Sequence, residues 1–187
     1  LRAQMRLTDK LAIGLALRFP RMLVRPASAE HPAVILFTSG TEGKPKGVVL
    51  SHRAILANVS QIRAVIDFTP EDKILNVLPL FHSFGLTAGT FLPLLSGAEI
   101  VLYPTPLHYK IIPSLIRDAK ASILLATDTF VNQYARTAAP GDLSSLQFIV
   151  CGAEKVREET HSLIAEKFGP IPVLEGYGAT EASPVIA

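Results

Sequence analysis

Between residues 73 and 175, short apolar runs alternate with longer segments in which apolar side chains recur at helical spacing. The runs lie at 73–78, 99–103, 122–126, 147–151 and 173–175. Helices are expected between them, at 83–95, 113–119, 129–137 and 156–168. Strands that alternate with helices in this way predict an α/β fold with a mainly parallel sheet flanked by helices. Such sheets bind ligands in loops at the carboxyl ends of their strands.

A loop rich in glycine, hydroxyl and lysine residues follows an earlier apolar run at 33–37 and extends from Thr38 to Gly47. We expect the run to be a buried strand that leads into this loop. Glycines allow the backbone to approach a ligand closely. Backbone N–H groups and lysines together suit an oligophosphate. Pro45 stiffens the loop and should hold Lys46 in a narrow set of positions. The loop is therefore a candidate phosphate site, and an ordinary surface turn is the alternative.

The loop does not match the two best-known phosphate-binding patterns. The P-loop of NTPases needs glycine before its lysine and Ser or Thr after it, but Lys46 lies between Pro45 and Gly47. The glycine pattern of dinucleotide-binding folds is also absent from the sequence. A nucleotide-hydrolysing switch is therefore disfavoured. A hydrolase is disfavoured as well, because the sequence contains no G-x-S-x-G nucleophile motif.

Composition narrows the function classes. The 187 residues are 49% hydrophobic and 18% charged, which is typical of a buried α/β protein. A net charge of +2 without a basic stripe gives no case for nucleic acid binding. The single cysteine excludes an internal disulfide and fits a reducing compartment. No charged side chain occurs from residue 74 to residue 98, a length that could span a bilayer, but its prolines, glycines and polar residues favour a buried strand, loop and helix.

The ends of the sequence suggest a larger protein. There is no initiator methionine, and the last residues, 184–187, form an apolar run. We expect the chain to be a piece of a longer protein. Residues 1–30 are expected to be a linker or a partial helical segment of a truncated subdomain, with apolar positions at helical spacing up to Phe19.

Several of these stretches resemble known sequences. Residues 38–47 resemble the phosphate-binding signature of the adenylate-forming enzymes, which include acyl-CoA synthetases, luciferases and adenylation domains of peptide synthetases. Glu42 departs from the common form, which has Thr or Ser there. Supporting motifs lie at 78–86, 150–155 and 174–181, and the resemblance covers residues 31–187. Together with 102–104 and 107–109, they are most similar to the synthetase part of the bifunctional 2-acylglycerophosphoethanolamine acyltransferases/acyl-[acyl-carrier-protein] synthetases. The resemblance implies that 31–187 is a fragment of the large N-terminal AMP-binding domain.

The resemblance also implies a set of nucleotide contacts. The phosphate-binding positions of the loop are Thr38, Ser39, Gly40, Thr41, Gly43 and Lys46. The adenine-binding positions are Gly152, Ala153, Glu154, Gly176, Tyr177 and Gly178. Thr180 is expected to contact phosphate, and Glu181 is expected to bind magnesium, because a carboxylate beside a triphosphate needs a cation between them. The Tyr177 ring, between two glycines, can lie against the adenine face.

Three residues are expected to act in catalysis: Lys46, His82 and Glu181. By resemblance, His82 borders the acyl carboxylate and the α-phosphate, although a histidine in an apolar stretch can also be a core residue. Cys151 is expected to be a small buried side chain, because no general base can be assigned to it.

The implied activity is the ATP-dependent activation of a fatty acid to acyl-AMP with release of pyrophosphate, followed by transfer to the thiol of acyl carrier protein. Coenzyme A is the alternative acceptor, as in long-chain fatty acid–CoA ligases, and a non-catalytic nucleotide-binding or scaffold domain is a distant alternative. The expected cofactors are ATP and Mg²⁺. The expected location is the cytoplasm or the cytoplasmic face of the bacterial inner membrane, with membrane association only through parts outside this chain. The family's ribose-binding aspartate and C-terminal catalytic lysine are not in these residues, so we expect the piece alone to be inactive or nearly so.

Overall fold

The structure, a computed structural model, describes residues 6–19, 27–39 and 44–187. The strands are β1 (Pro32–Thr38), β2 (Lys46–Ser51), β3 (Lys73–Asn76), β4 (Glu99–Leu102), β5 (Ile123–Ala126), β6 (Phe148–Cys151) and β7 (Val173–Glu175). The α-helices are α1 (Leu7–Arg18), α2 (His52–Val65), α3 (Ser83–Leu86), α4 (Leu92–Ser96), α5 (Ile112–Ala119), α6 (Asp128–Thr137) and α7 (Glu158–Phe168). A π-helical turn, Thr87–Phe91, joins α3 to α4, and a 3₁₀ turn occupies Thr180–Ala182.

Strands β3 to β7 form one parallel sheet in the order β4-β3-β5-β6-β7. This confirms the predicted α/β class. Successive side chains of the central strands point to opposite faces. Leu124 packs with the face covered by α5, α6 and α7, while Ile123 and Leu125 pack with the face covered by α2 and the 83–96 helix. Since both faces of the strands are buried, their sequences are continuous apolar runs rather than alternating ones.

The prediction that the 33–37 run is a buried strand is wrong, and the run does not belong to the parallel sheet. β1 pairs antiparallel with β2 in a separate two-stranded sheet. Leu36 is buried in a cluster with Ile55, near the beginning of α2, but Ile35 and Phe37 are 57% and 73% exposed. The 38–47 loop therefore connects the two strands of a hairpin, and residues 38–39 and 44–47 of it lie in the described ranges.

The helix at 83–96 is held by a buried side chain of β3. The Asn76 amide nitrogen donates to the carbonyl of Gly85 at 3.0 Å, and its oxygen accepts from the Leu78 N–H at 3.0 Å. Gly89 faces Asn76 so closely that a Cβ there would lie 2.3 Å from the amide nitrogen. The helix ends at Gly97 in the left-handed conformation, as its sequence predicts.

The other helices begin and end close to their predicted limits. Ser51 caps α2 by accepting from the Ala54 N–H at 3.2 Å, in agreement with the preference for serine at this position. The helical spacing of apolar residues in α2 predicts that Leu56 is buried with Ile55 and Val59, but Leu56 is 50% exposed. Helix α1 buries none of its residues in the described part of the chain. Each described helix is too short or too polar to cross a membrane, and the uncharged 74–98 segment is a strand, a loop and a helix.

Candidate active site

Three of the predicted motifs meet at one cavity of about 1170 Å³. They follow β3, β6 and β7, so they lie at the carboxyl ends of strands in the parallel sheet, as predicted. The predicted site residues that line the cavity are His82, Gly152, Ala153, Gly176, Tyr177, Gly178 and Thr180. The sheet order brings together segments that are about 70 to 100 positions apart in the sequence.

The segment after β7 folds back on itself at the mouth of this cavity. The Tyr177 N–H donates to the carbonyl of Ala187 at 2.7 Å, and the Ala179 N–H donates to the carbonyl of Pro184 at 2.9 Å. Glycine is required at position 178, because a Cβ there would lie 2.4 Å from the Pro184 carbonyl oxygen. The Tyr177 ring is 69% exposed and lines the cavity, which leaves one face of it available to a flat ligand.

Two hydroxyl groups join the His82 segment to the 3₁₀ turn. Ser83 Oγ and Thr180 Oγ1 share a hydrogen bond of 3.3 Å, and Ser83 is buried. His82 itself is exposed, and its Nδ1 accepts from the Phe84 N–H at 3.3 Å. Its exposure at the cavity does not support the alternative of a core histidine. The Ser83 contact was missed by the sequence analysis, because its partner is 97 positions away.

The loop after β6 is closely fitted to its neighbours. A Cβ at Gly152 would lie 3.0 Å from the Phe84 ring. Ala153 has a φ of +70°, a left-handed conformation that disfavours an L-residue by about 1–2 kcal/mol. The surrounding structure must therefore hold this part of the loop in place.

The Glu154 side chain does not line the cavity with its neighbours. Its carboxylate accepts from the N–H and the hydroxyl of Thr129, at 2.8 and 3.0 Å, at the beginning of α6. Burial alone raises the pKa of Glu154, but hydrogen bonds from Thr127 and Thr129 lower it overall. The structure thus gives this carboxylate a role in fixing the loop, and the predicted contact of residue 154 with a ligand stays a prediction.

The described part of the candidate phosphate loop, residues 38–39 and 44–47, lies outside the cavity lining. β2 runs next to the 3₁₀ turn. Lys46 is exposed at the first residue of β2, opposite Thr38 across the hairpin, and Ser39 is also exposed. Neither Lys46, Thr38 nor Ser39 lines the cavity. The predicted contacts Gly40, Thr41 and Gly43, together with Glu42, lie outside the described residues.

The inner part of the cavity is apolar. Its wall is formed by the end of α2, the 83–96 helix and two central strands. The apolar residues there are Ile62, Ile66, Phe68, Phe84, Ala88, Leu92, Leu125 and Val150. The cavity therefore combines a polar mouth with an apolar interior.

A sequence profile of AMP-binding enzymes matches residues 5–187. The chain belongs to the AMP-binding enzyme family. It is 37% identical over 169 residues to the "probable 4-coumarate–CoA ligase 3" of Dictyostelium discoideum, a match that covers 87% of this chain and 30% of that protein. It is 35% identical over 156 residues to the "medium-chain fatty-acid–CoA ligase" of Escherichia coli K12, a match that covers 81% of this chain and 27% of that protein.

Among solved structures, the chain is similar to ATP-bound MatB from Rhodopseudomonas palustris, with a TM-score of 0.76 and 28% identity over 86% of this chain and 32% of that one. This AMP-binding enzyme chain thus spans roughly a third or less of the proteins it matches.

Glu181 does not itself line the cavity, but it lies between Thr180 and Ala182, which do, and this placement is compatible with magnesium in one way only. No cluster of three or more His, Cys, Asp or Glu side chains in the described ranges could hold a metal ion by itself. Glu181, exposed in the 3₁₀ turn, offers a single carboxylate. Magnesium is commonly held by one or two carboxylates together with substrate phosphates and water. These residues fit an ion that is bound jointly with a phosphate ligand.

Cys151, the last residue of β6, is fully buried behind this site, as predicted. Burial, together with the nearby carboxylates of Asp128, Glu154 and Glu175, raises the pKa of its thiol to about 12. A thiol in this environment does not ionise near neutral pH.

Proposed function

We propose that the complete protein activates a fatty acid with ATP, forming an acyl-adenylate and pyrophosphate, and then transfers the acyl group to a thiol. The observation that carries this proposal is the cavity of about 1170 Å³ with a polar mouth and an apolar interior. Its mouth contains glycine-rich backbone and the Tyr177 ring, which suit a nucleotide. Its interior contains aliphatic and phenyl groups and, among the described lining residues, no lysine or arginine that would pair with a polar acid.

Lys46, His82 and Glu181 have distinct roles in the proposed reaction. The fatty acid carboxylate attacks the α-phosphorus of ATP, and the bond to pyrophosphate breaks. Lys46 neutralises phosphate oxygens, and His82 lies where the carboxylate and the α-phosphate meet. Glu181 holds magnesium, which supplies charge neutralisation of the phosphates when bound. The contribution of these residues is mainly positioning and electrostatic stabilisation.

Acyl carrier protein is the proposed thiol acceptor, in a pathway that re-acylates membrane phospholipids. The support is the sequence resemblance at 102–104 and 107–109 to the bifunctional acyltransferase/synthetase enzymes. Coenzyme A is the second candidate, and the names of the Dictyostelium and E. coli relatives favour it. We further propose that the reaction takes place in the cytoplasm or at the cytoplasmic face of the inner membrane.

The test is pyrophosphate exchange into ATP by the complete protein with a series of carboxylic acids. We expect exchange with medium or long fatty acids and little with acetate. The adenylated product should then be discharged onto acyl carrier protein or coenzyme A, and comparing the two thiols assigns the acceptor. Exchange with acetate or amino acids alone would overturn the substrate class. A folded protein that binds no ATP in a calorimetric titration would favour the scaffold alternative.

Glu181→Ala tests the metal role. Losing a ligand of the ion that neutralises the phosphates is expected to lower the exchange rate about 10²–10³-fold, which is about 3–4 kcal/mol of transition-state stabilisation. Glu166→Ala, a change of an exposed glutamate in α7, is the matched control and should leave the rate unchanged. Glu42→Thr restores the common form of the phosphate loop and should leave activity within a few-fold. If Glu42→Thr abolishes exchange while Glu181→Ala is tolerated, the two carboxylate roles must be exchanged.

A further inference from the structure

A buried carboxylate stands directly behind the cavity without lining it. Asp128 is the first residue of α6 and is 1% exposed. One of its oxygens accepts from the Arg157 N–H at 3.1 Å, and the other accepts from Nε of the Arg157 guanidinium. The Arg157 side chain is about half exposed, so only the carboxylate of this pair is fully removed from water. A buried carboxylate must be paired and hydrogen-bonded, and this requirement ties the beginning of α6 to Arg157.

The Asp128 pair is one of several contacts that fix the loop from residue 152 to residue 157. The Gly152 N–H donates to the carbonyl of Ala126 at 3.2 Å. The Glu154 carboxylate accepts from Thr129 at the same end of α6, and the Val156 N–H donates to the Glu175 carboxylate at 3.3 Å. Asp128 fixes the far end of the loop at Arg157.

Between these contacts lies the part of the loop that faces the cavity. Ala153 lines the cavity and has a left-handed backbone, which a non-glycine residue leaves unless its surroundings restrain it. Within the described residues, no hydrogen bond uses the N–H groups of Ala153, Glu154 or Lys155. Of these three residues only Ala153 lines the cavity, so its N–H is the group that is free to contact a ligand there, and it keeps this position only while the loop is fixed.

We propose that Asp128 is a positioning residue that acts through Arg157 to hold the 152–157 loop in its ligand-binding conformation. The inference rests on the proposed function, since the ligand that benefits is the adenine part of the nucleotide. Fixing the loop in advance removes the ordering penalty from binding, so the effect of Asp128 falls on nucleotide affinity rather than on the chemical step.

The chain contains a matched control pair. Asp142 is also buried, its Oδ1 accepts from Arg117 at 2.6 Å, and its Oδ2 accepts from the Ala139 N–H at 2.9 Å. It therefore has the same chemistry as Asp128, a buried carboxylate shared between a guanidinium and a backbone N–H. Neither Asp142 nor Arg117 lines the cavity, and both precede β6, whereas Arg157 ends the loop that follows β6.

The experiment compares Asp128→Asn with Asp142→Asn in the complete protein. Amide hydrogen exchange is measured over residues 152–157, the dissociation constant of ATP by calorimetry, and pyrophosphate exchange at saturating ATP. We expect both variants to lower the melting temperature. Asp128→Asn alone should speed amide hydrogen exchange in the loop about ten-fold and raise the dissociation constant of ATP about ten-fold. The rate of pyrophosphate exchange at saturating ATP should stay within about three-fold of wild type. Arg157→Gln removes the guanidinium but keeps the hydrogen bond from the backbone N–H of residue 157 to Asp128, so it should give a smaller effect in the same direction.

Two results would overturn the proposal. One is an ATP dissociation constant within two-fold of wild type in folded Asp128→Asn, and the other is an equal loss of affinity in Asp142→Asn. If Asp128→Asn does not fold, Arg157→Gln carries the test with the same criteria. If the wild-type protein binds no ATP, the proposed function fails. The hydrogen exchange of the loop still decides whether Asp128 fixes it.

Discussion

Gly89→Ala is expected to destabilise the protein by disturbing the helix that forms one wall of the cavity. An added Cβ would lie 2.3 Å from the Asn76 amide nitrogen and 2.4 Å from its Cγ, far inside the contact distance of these atoms. The Asn76 side chain cannot move aside freely, because it is 1% exposed and is held by Gly85 and Leu78. The substitution therefore forces either the asparagine or the helix out of place.

The size of the effect follows from the hydrogen bonds that would be lost. Displacing Asn76 leaves the Gly85 carbonyl and the Leu78 N–H without partners, at about 1–3 kcal/mol for each buried group. If only the helix shifts, overpacking alone lowers the free energy of unfolding by about 1–3 kcal/mol. Alanine has a higher helix propensity than glycine by about 1 kcal/mol, which offsets part of the loss. The net loss in the free energy of unfolding should be about 2–4 kcal/mol.

The assay is urea denaturation of this chain, followed by far-ultraviolet circular dichroism. Gly14→Ala is the control, because Gly14 lies in helix α1 and a Cβ there would have no atom within 4 Å. It should leave stability unchanged or raise it by up to about 1 kcal/mol. A Gly89→Ala variant within about 0.5 kcal/mol of wild type would refute the reasoning, since random surface substitutions have effects of that size.

Two further predictions concern ionisable groups. Because burial raises the pKa of Cys151 to about 12, a thiol reagent at pH 8 should label the native protein more than about 100-fold more slowly than the urea-unfolded protein; equal rates would contradict the buried position. Burial alone raises the pKa of Asp128, but hydrogen bonds from Thr160 and Arg157 and the Arg157 charge lower it overall. A lowered pKa in the folded state stabilises above the unfolded value of about 4, and the stabilisation is lost as pH falls through the folded pKa. Urea denaturation between pH 2 and pH 7 should therefore show the difference between wild type and Asp128→Asn shrinking toward acid, and a widening difference would contradict the assignment.

The parallel sheet could be predicted because its strands are buried on both faces. Runs such as 123–126 are apolar at every position, and helical segments separate them, so both the strands and their parallel direction follow from the sequence. The inference from a continuously apolar run to a strand buried on both faces failed at 33–37. That run is also continuously apolar, yet Ile35 and Phe37 are exposed in the described structure, and the strand pairs antiparallel with β2. The connection between the two strands is too long to carry the two-residue turn signal of a hairpin.

The candidate site was predictable where the backbone itself forms the site. Gly152, Gly176, Tyr177 and Gly178 were expected from local motifs and do line the cavity. Side-chain contacts between elements were not predictable in this way. Asp128 and Arg157 are 29 positions apart, and nothing in either local sequence names the other as its partner. A charged residue two positions after the apolar run of β5 was the available signal, because such a position is buried only when its charge is paired.

The cavity and the proposed phosphate site next to it are positioned by different parts of the fold. Gly152 and Gly176 directly follow neighbouring strands, so the register of β6 and β7 fixes their separation. Glu181 lies in the 3₁₀ turn and Lys46 in the hairpin, which both lie outside the parallel sheet. These two elements are placed by side-chain contacts instead. The Asn58 side chain of α2 exchanges hydrogen bonds of 2.7 and 3.1 Å with the backbone of Val185, and Leu36 and Leu50 of the hairpin pack on Ile55 of the same helix. Helix α2 is thus the common support of the hairpin and of the segment after the turn. The relative position of Lys46 and Glu181, and with it the proposed phosphate site, depends on this helix more than on the sheet.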